Sequence, residues 1–236
     1  MRARILYVPI FAAFEARQLA ELLSDWADVE SFDGPGTGPR RDEPPASIDE
    51  TVEAGSQRLD ELGWDRCVVV CDSHGQAPGA LLALRDPRVK ALAMGHAAMR
   101  YAVGGSAPTL NPGVHAAARQ LLETDYRSFG RALTQLTQGT LDDAWVASFM
   151  EEVPAATARS RVFELAEGHE IASRLRDCDV ELLLAGHRGC VMWTAEAFGE
   201  AVAALPAAAS VECDDAPMAD PAFHTALRSL CERVFG

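Results

Sequence analysis

Short apolar runs alternate with longer amphipathic segments along most of the chain, and this alternation predicts strands and helices in turn. The runs that read as strands lie at 4–9, 29–32, 67–71, 89–94, 180–185 and 210–213. Between them, apolar positions recur every three or four residues, which is typical of amphipathic helices. The pattern predicts an α/β fold in which a mostly parallel six-stranded sheet carries helices on both faces.

One long segment interrupts this alternation after the fourth strand. Residues 101–168 begin with a loop-like mixture of Gly, Ser and Pro and continue with helical patterns, without a strand signal. The sequence therefore predicts an α/β core over 1–100 and 169–236, with a helical cap over 101–168. Such an insert would lie over the carboxyl ends of the strands, where ligands bind in open α/β sheets.

The third predicted strand runs directly into a short polar turn, Cys71-Asp72-Ser73-His74-Gly75, which an alanine- and leucine-rich helix follows. A strand, a tight turn with a central serine and a helix form the layout of a nucleophile elbow. Cys71 and Gly75 are small enough to let the backbone turn sharply. The pattern indicates Ser73 as a nucleophile. The alternative is that Ser73 is only a small residue that fits a tight turn.

Composition narrows the partners of the chain. The formal net charge of −14 argues against nucleic acid and anionic membranes as partners. No apolar run approaches the roughly 20 residues of a membrane span, and no signal peptide precedes the first strand, so we expect a cytoplasmic protein. The six cysteines lack C-x-x-C spacing, which predicts reduced core thiols and no metal site. No dinucleotide fingerprint is present, so no cofactor is implied.

Together the motifs resemble the α/β-hydrolase superfamily over nearly the whole chain. Segment 32–38 resembles the family's loop after an early strand, 70–75 its elbow, and 86–89 the entry to the next strand. Segment 179–186 resembles the strand before the acid loop, and 220–223 resembles the start of the last helix. Five such motifs in this order imply the family's fold.

The chemistry of that family requires a nucleophile, a histidine that takes its proton, an acid that orients the histidine, and two N–H groups that face the oxyanion. The resemblance places Ser73 as the nucleophile. It places the backbone N–H of His74, with that of Ile10 or Phe11, in the oxyanion hole. The acid position falls in segment 187–190, which has no carboxylate, and the histidine position falls in segment 212–219, which has no histidine. The triad is therefore degenerate.

Other residues are candidate substitutes. His187 stands in the acid loop and Asp214 in the histidine loop, so an exchanged Ser73–His187–Asp214 triad is one hypothesis; a surface-loop histidine is the alternative. His96 follows the fourth strand, where some family members place their acid, and is a candidate base or substrate-binding group. Aromatic residues in the predicted cap or at its entry could bind substrate, although packing of the cap is the alternative: Tyr101, Trp145 and Phe149.

Three functions remain open. The first is an enzyme that acts on an ester, thioester or related acyl group of a small molecule through Ser73, with an atypical proton-transfer partner. The second is a non-hydrolytic lyase, cyclase or isomerase of natural-product metabolism, which the missing acid and histidine favour. The third is a catalytically silent protein that binds a small molecule. In all three the partner is a small molecule, and the oligomeric state is not determined by the sequence.

Overall fold

A single parallel sheet forms the centre of the structure, a computed structural model that describes residues 2–100, 109–138, 142–164, 171–176 and 178–236. Its order is β2-β1-β3-β4-β5-β6, and every neighbouring pair is parallel. The strands are β1 (Ala3–Val8), β2 (Ala27–Glu30), β3 (Cys67–Asp72), β4 (Val89–Gly95), β5 (Glu181–His187) and β6 (Ala209–Cys213). The predicted six-stranded α/β fold is confirmed.

The helices follow the amphipathic segments of the sequence. They are α1 (Arg17–Leu22), α2 (Ile48–Leu62), α3 (Gln76–Arg85), α4 (Pro112–Thr124), α5 (Tyr126–Gln138), α6 (Asp143–Glu152), α7 (Ala155–Arg159), α8 (Ala172–Leu175), α9 (Ala195–Ala204) and α10 (Pro221–Phe235). Ser47 caps the start of α2, because its hydroxyl accepts from the Glu50 N–H and the Glu50 carboxylate accepts from the Ser47 N–H. Among the described residues, no helix combines the length and the apolar character that a membrane span needs.

Both faces of the sheet are covered, which explains why β3 is apolar almost throughout. Val69 and Cys71 point into a core shared with α2, α3 and α9. Val68 and Val70 point into a second core shared with α1 and α10. Successive side chains of a strand alternate between its faces, so a strand buried on both sides reads as a continuous apolar run. This burial fixes the carboxyl ends of the central strands side by side.

Helices α4 to α7 lie between β4 and β5 in the chain. The α6 side chains pack against the loop that follows β1: the ring centroids of Phe11 and Phe149 are 5.1 Å apart, and those of Phe14 and Trp145 are 5.3 Å apart. The helices thus reach the edge of the sheet at which the predicted site lies. The division into a core over 1–100 and 169–236 and a cap over 101–168 stays a prediction.

Candidate active site

The turn after β3 places Ser73 in a strained backbone conformation. Ser73 opens a short 3-10 turn before α3 with a φ of 46°, in the left-handed region. This region costs a non-glycine residue about 1–2 kcal/mol and persists where the surrounding structure demands it. At Gly75 an added Cβ would lie 2.8 Å from the backbone oxygen of Val8, so only glycine fits there. The strand, tight turn and helix predicted around Ser73 are therefore present.

Polar residues surround Ser73 at the strand ends. Ser73 itself is 2% exposed, and its neighbours Asp72 and His74 are also buried. Asp72 pairs with Gly95 in the register of β3 and β4. Ser73 and His96 consequently follow directly after the paired ends of two adjacent strands, and His96 has a left-handed backbone as well, with a φ of 45°.

A chain of hydrogen bonds joins the ends of three neighbouring strands. The Nδ1 atom of His96 lies 2.8 Å from an Asp72 carboxylate oxygen, and its Nε2 atom lies 3.3 Å from His187 Nδ1. Asp72 and His96 are buried, whereas His187 is half-buried. The sequence predicted His96 and His187 as site residues but did not predict that Asp72 would link to them.

The two histidines differ in charge. Burial disfavours the charged ring of His96, yet the charge and the hydrogen bond of Asp72 outweigh it and raise its pKa to about 10. Burial, followed by the positive charge on His96, lowers the pKa of His187. At neutral pH we therefore expect a positive His96 that donates to Asp72 and to a neutral His187.

Cys190 completes this cluster, and the sequence patterns did not indicate it as a site residue. Its Sγ lies within 4.8 Å of one ring nitrogen of His96 and one of His187. The Cys190 sulfur also accepts a hydrogen bond from the backbone N–H of Trp193 at 3.4 Å. Burial raises the pKa of the Cys190 thiol, but the hydrogen bond and charge of His96 outweigh burial and lower it. The signal in the sequence was the spacing His187-x-x-Cys190, which a search for paired cysteines does not detect.

The structure corrects the acid of the exchanged triad. The Asp214 carboxylate pairs with Arg188, and its side chain is 81% exposed. It is the backbone of Asp214, and not its carboxylate, that forms a hydrogen bond with His187. The carboxylate that a site histidine contacts is that of Asp72. The loop in which the resemblance expects a histidine brings Met218 to the site, where its methyl group packs against Gly95.

The loop after β1 also differs from the prediction. The N–H groups of Ile10 and Phe11, predicted as oxyanion donors, point to the carboxylate of Glu15 at 3.4 and 2.6 Å, and the Ala12 N–H joins them at 2.8 Å. Burial, opposed by these backbone hydrogen bonds and aided by the charge of Asp72, raises the pKa of Glu15 to about 7. The N–H groups that an oxyanion hole would need are therefore bonded to Glu15.

A small cavity of about 40 Å³ adjoins this loop, and Tyr7, Glu15, Asp72, Trp145 and Met218 are among its lining residues. Trp145 therefore borders a cavity, and its part in substrate binding stays a prediction. Phe149 is fully buried and packs against Phe11, which is the packing alternative. Tyr101 lies outside the described residues.

A larger open groove of about 660 Å³ lies elsewhere, between α1, β2 and α2. Its walls include Arg17, Asp33, Arg40 and Arg58. None of the residues that form the hydrogen-bonded chain lines this groove, so we place the candidate site at the strand ends instead.

Comparison with known proteins identifies the fold. A hydrolase from Oleispira antarctica matches with a TM-score of 0.76 at 13% identity, over 98% of this chain and 91% of its own. An enol-lactonase from Burkholderia xenovorans LB400 matches with a TM-score of 0.71 at 16% identity, over 99% and 90%. A bromoperoxidase from Bacillus anthracis matches with a TM-score of 0.76 at 13% identity, over 98% and 92%. The chain therefore has the α/β-hydrolase fold.

Sequence comparison gives no further assignment, because no protein-family model and no curated protein matches the chain. A shared fold does not by itself carry a shared reaction. The function must be argued from the residues at the strand ends.

Proposed function

We propose that the protein is an enzyme that acts on an ester, thioester or related acyl group of a small molecule through Ser73. The observation that carries this proposal is the left-handed backbone of Ser73 at the junction of β3 and α3. Strain of this kind is retained where it serves a function. The likeness in fold to a hydrolase and an enol-lactonase supports the same reaction class.

The proposed reaction has two steps. The Ser73 oxygen attacks the acyl carbon, its proton passes to the leaving group, and the bond from the acyl carbon to the leaving group breaks. Water then cleaves the acyl–serine bond and returns the proton to Ser73. The backbone N–H of His74 lies at the start of the helical segment, where the aligned peptide dipoles stabilise the negative oxygen of the intermediate.

The group that would accept the Ser73 proton is a poor base in this site. His96 is next to Ser73 on the adjacent strand, but Asp72 favours its charged form, in which it cannot accept a proton. His187, which is neutral and bonded to His96, is the next acceptor along the chain of hydrogen bonds. A serine without an efficient base loses several powers of ten in rate, so we expect slow turnover of generic esters.

The test combines Ser73→Ala with a fluorophosphonate probe, which labels activated serines. We expect the probe to label the wild-type protein and not the variant, and we expect ester turnover to disappear with the label. Ser229→Ala is the matched control, because Ser229 is exposed on α10 and bonds only within that helix. Normal turnover by Ser73→Ala would contradict the proposal.

A second candidate function rests on Glu15. Its carboxylate occupies the N–H groups of the oxyanion loop, which disfavours acyl chemistry. A carboxyl group with a pKa near 7 beside a cavity is suited to general acid–base catalysis. A lyase, cyclase or isomerase would use Glu15, with Tyr7 and Asp72 facing the same cavity, and would need no covalent intermediate.

Two substitutions separate these candidates. Glu15→Gln keeps the shape of the side chain but cannot transfer a proton. If the protein is a lyase, cyclase or isomerase, Glu15→Gln should lose product formation while Ser73→Ala retains it. If it is a serine enzyme, the loss should follow Ser73. If the wild-type protein instead binds a candidate substrate saturably but does not convert it, the protein is a silent binding protein.

A further inference from the structure

We propose that His96, His187 and Cys190 bind a divalent transition-metal ion, with zinc as the best match. Each residue offers one ligand atom, and the three atoms lie within 4.8 Å of one another. Two imidazoles and one thiolate form a donor set typical of zinc sites. This proposal goes beyond the serine reaction and does not depend on it.

The distances suit a tetrahedral ion. Zinc–nitrogen bonds of about 2.0–2.1 Å at tetrahedral angles place two ligand nitrogens about 3.3 Å apart. The separation of His96 Nε2 and His187 Nδ1 is 3.3 Å. The sulfur of Cys190 lies within 4.8 Å of a ring nitrogen of each histidine, and a tetrahedral zinc ion would hold it about 3.6 Å from both ligand nitrogens.

Two hydrogen bonds from outside the cluster orient its ligands. Asp72 accepts from Nδ1 of His96 at 2.8 Å, so the ion would displace the proton on Nε2 and take its place between the two rings. Carboxylates commonly fix metal-binding histidines in this way. The backbone N–H of Trp193 points to the Cys190 sulfur at 3.4 Å, where it stabilises a thiolate. The ligand atoms therefore have defined orientations.

A neighbouring cavity leaves room for a fourth ligand. It has a volume of about 70 Å³, and its walls include His96, His187, Trp193 and Glu212. A cavity of this size can hold water. Three protein ligands with an open fourth position are the arrangement of zinc sites that bind water or substrate, whereas closed sites with four protein ligands are structural.

The test is a titration of the full chain, freed of metal with a chelator, with Co²⁺ alone. A cobalt ion bound to a thiolate shows a sulfur-to-metal charge-transfer absorption. We expect saturable binding with this absorption for the wild-type protein, and Zn²⁺ should displace the cobalt. Cys178→Ser is the matched control, because Cys178 is a partly buried cysteine whose thiol bonds to backbone oxygens away from the cluster.

Variants of the cluster give the decisive result. Cys190→Ser should lose the charge-transfer absorption, and His187→Gln should weaken binding at least tenfold. Asp72→Asn removes the group that orients His96 and should weaken binding about 10–100-fold. Circular dichroism checks that each variant is folded, and His187→Gln, at the half-buried end of β5, tests the site if Cys190→Ser does not fold.

Two results would overturn the metal site: no saturable binding by the wild-type protein, or the same absorption in Cys190→Ser. Ser73→Ala should bind cobalt like the wild-type protein. The failure of the metal proposal would therefore be visible independently of whether Ser73 reacts, and the failure of the serine reaction would leave the cobalt titration unchanged.

Discussion

Glu15 should make the stability of the protein depend on pH in a direction opposite to that of most carboxyl groups. Its pKa is raised from 4.5 to about 7, chiefly by burial. A raised pKa means that the folded state binds the proton more tightly than the unfolded state does. The stabilisation is therefore complete below the ordinary pKa and is lost as the pH rises through about 7.

The size of the effect follows from the shift. Each pKa unit corresponds to about 1.4 kcal/mol, so a shift from 4.5 to about 7 gives at most about 3–4 kcal/mol. Glu15 is partly accessible to solvent, which reduces the measured value below this limit. Phe11 and Ala12 donate to the carboxylate, and a glutamine oxygen at the same place can still accept from them.

The assay is urea unfolding of wild-type protein and Glu15→Gln at about pH 5 and about pH 8, a range that contains the titration of the folded group. The wild type should lose up to about 3 kcal/mol more free energy of unfolding than Glu15→Gln does between these pH values. Glu196→Gln, which removes an exposed carboxylate at the start of α9, should behave like the wild type. Parallel pH profiles for the wild type and Glu15→Gln would refute the reasoning.

Three further substitutions test the turn after β3 and two contacts elsewhere in the fold. Gly75→Ala should destabilise the protein by about 1–3 kcal/mol in urea unfolding, because the new Cβ would lie 2.8 Å from the Val8 oxygen. Gly199→Ala should raise the free energy of unfolding by about 0.5–1 kcal/mol, because Gly199 lies in α9 and an added Cβ would have nothing within 4 Å. A loss of stability would contradict the helix assignment. Arg88→Lys should cost about 1 kcal/mol in thermal unfolding, because lysine cannot make both bonds that Arg88 gives the Asp86 carboxylate at 2.9 and 2.7 Å; an unchanged melting temperature would contradict this.

Local patterns in the sequence predicted the elements of the fold. The apolar runs located all six strands, and the small residues around Ser73 located the turn between β3 and α3. Each of these features depends on residues a few positions apart, whose spacing follows the repeat of a strand, a helix or a turn. They can therefore be found without knowing what the rest of the chain does.

The polar site depended on the tertiary structure. Asp72 and His96 are 24 residues apart, and His96 and His187 are 91 apart, yet parallel pairing of β3, β4 and β5 brings their side chains into hydrogen-bonding distance. The sequence singled out the two histidines as candidates, but neither the Asp72 carboxylate at the end of β3 nor Cys190. Likewise, the resemblance places the N–H of Ile10 or Phe11 in an oxyanion hole, but the backbone of the loop directs both N–H groups to Glu15.

The amino-acid sequence by itself thus determined which segments form strands and helices and where the serine turn lies. The tertiary structure alone decided which acid meets which histidine and which groups the backbone N–H donors bind. The physical reason is range: periodicity and turn geometry act between near neighbours in the chain, whereas hydrogen bonds and charges act between atoms that only the packing of the sheet brings together.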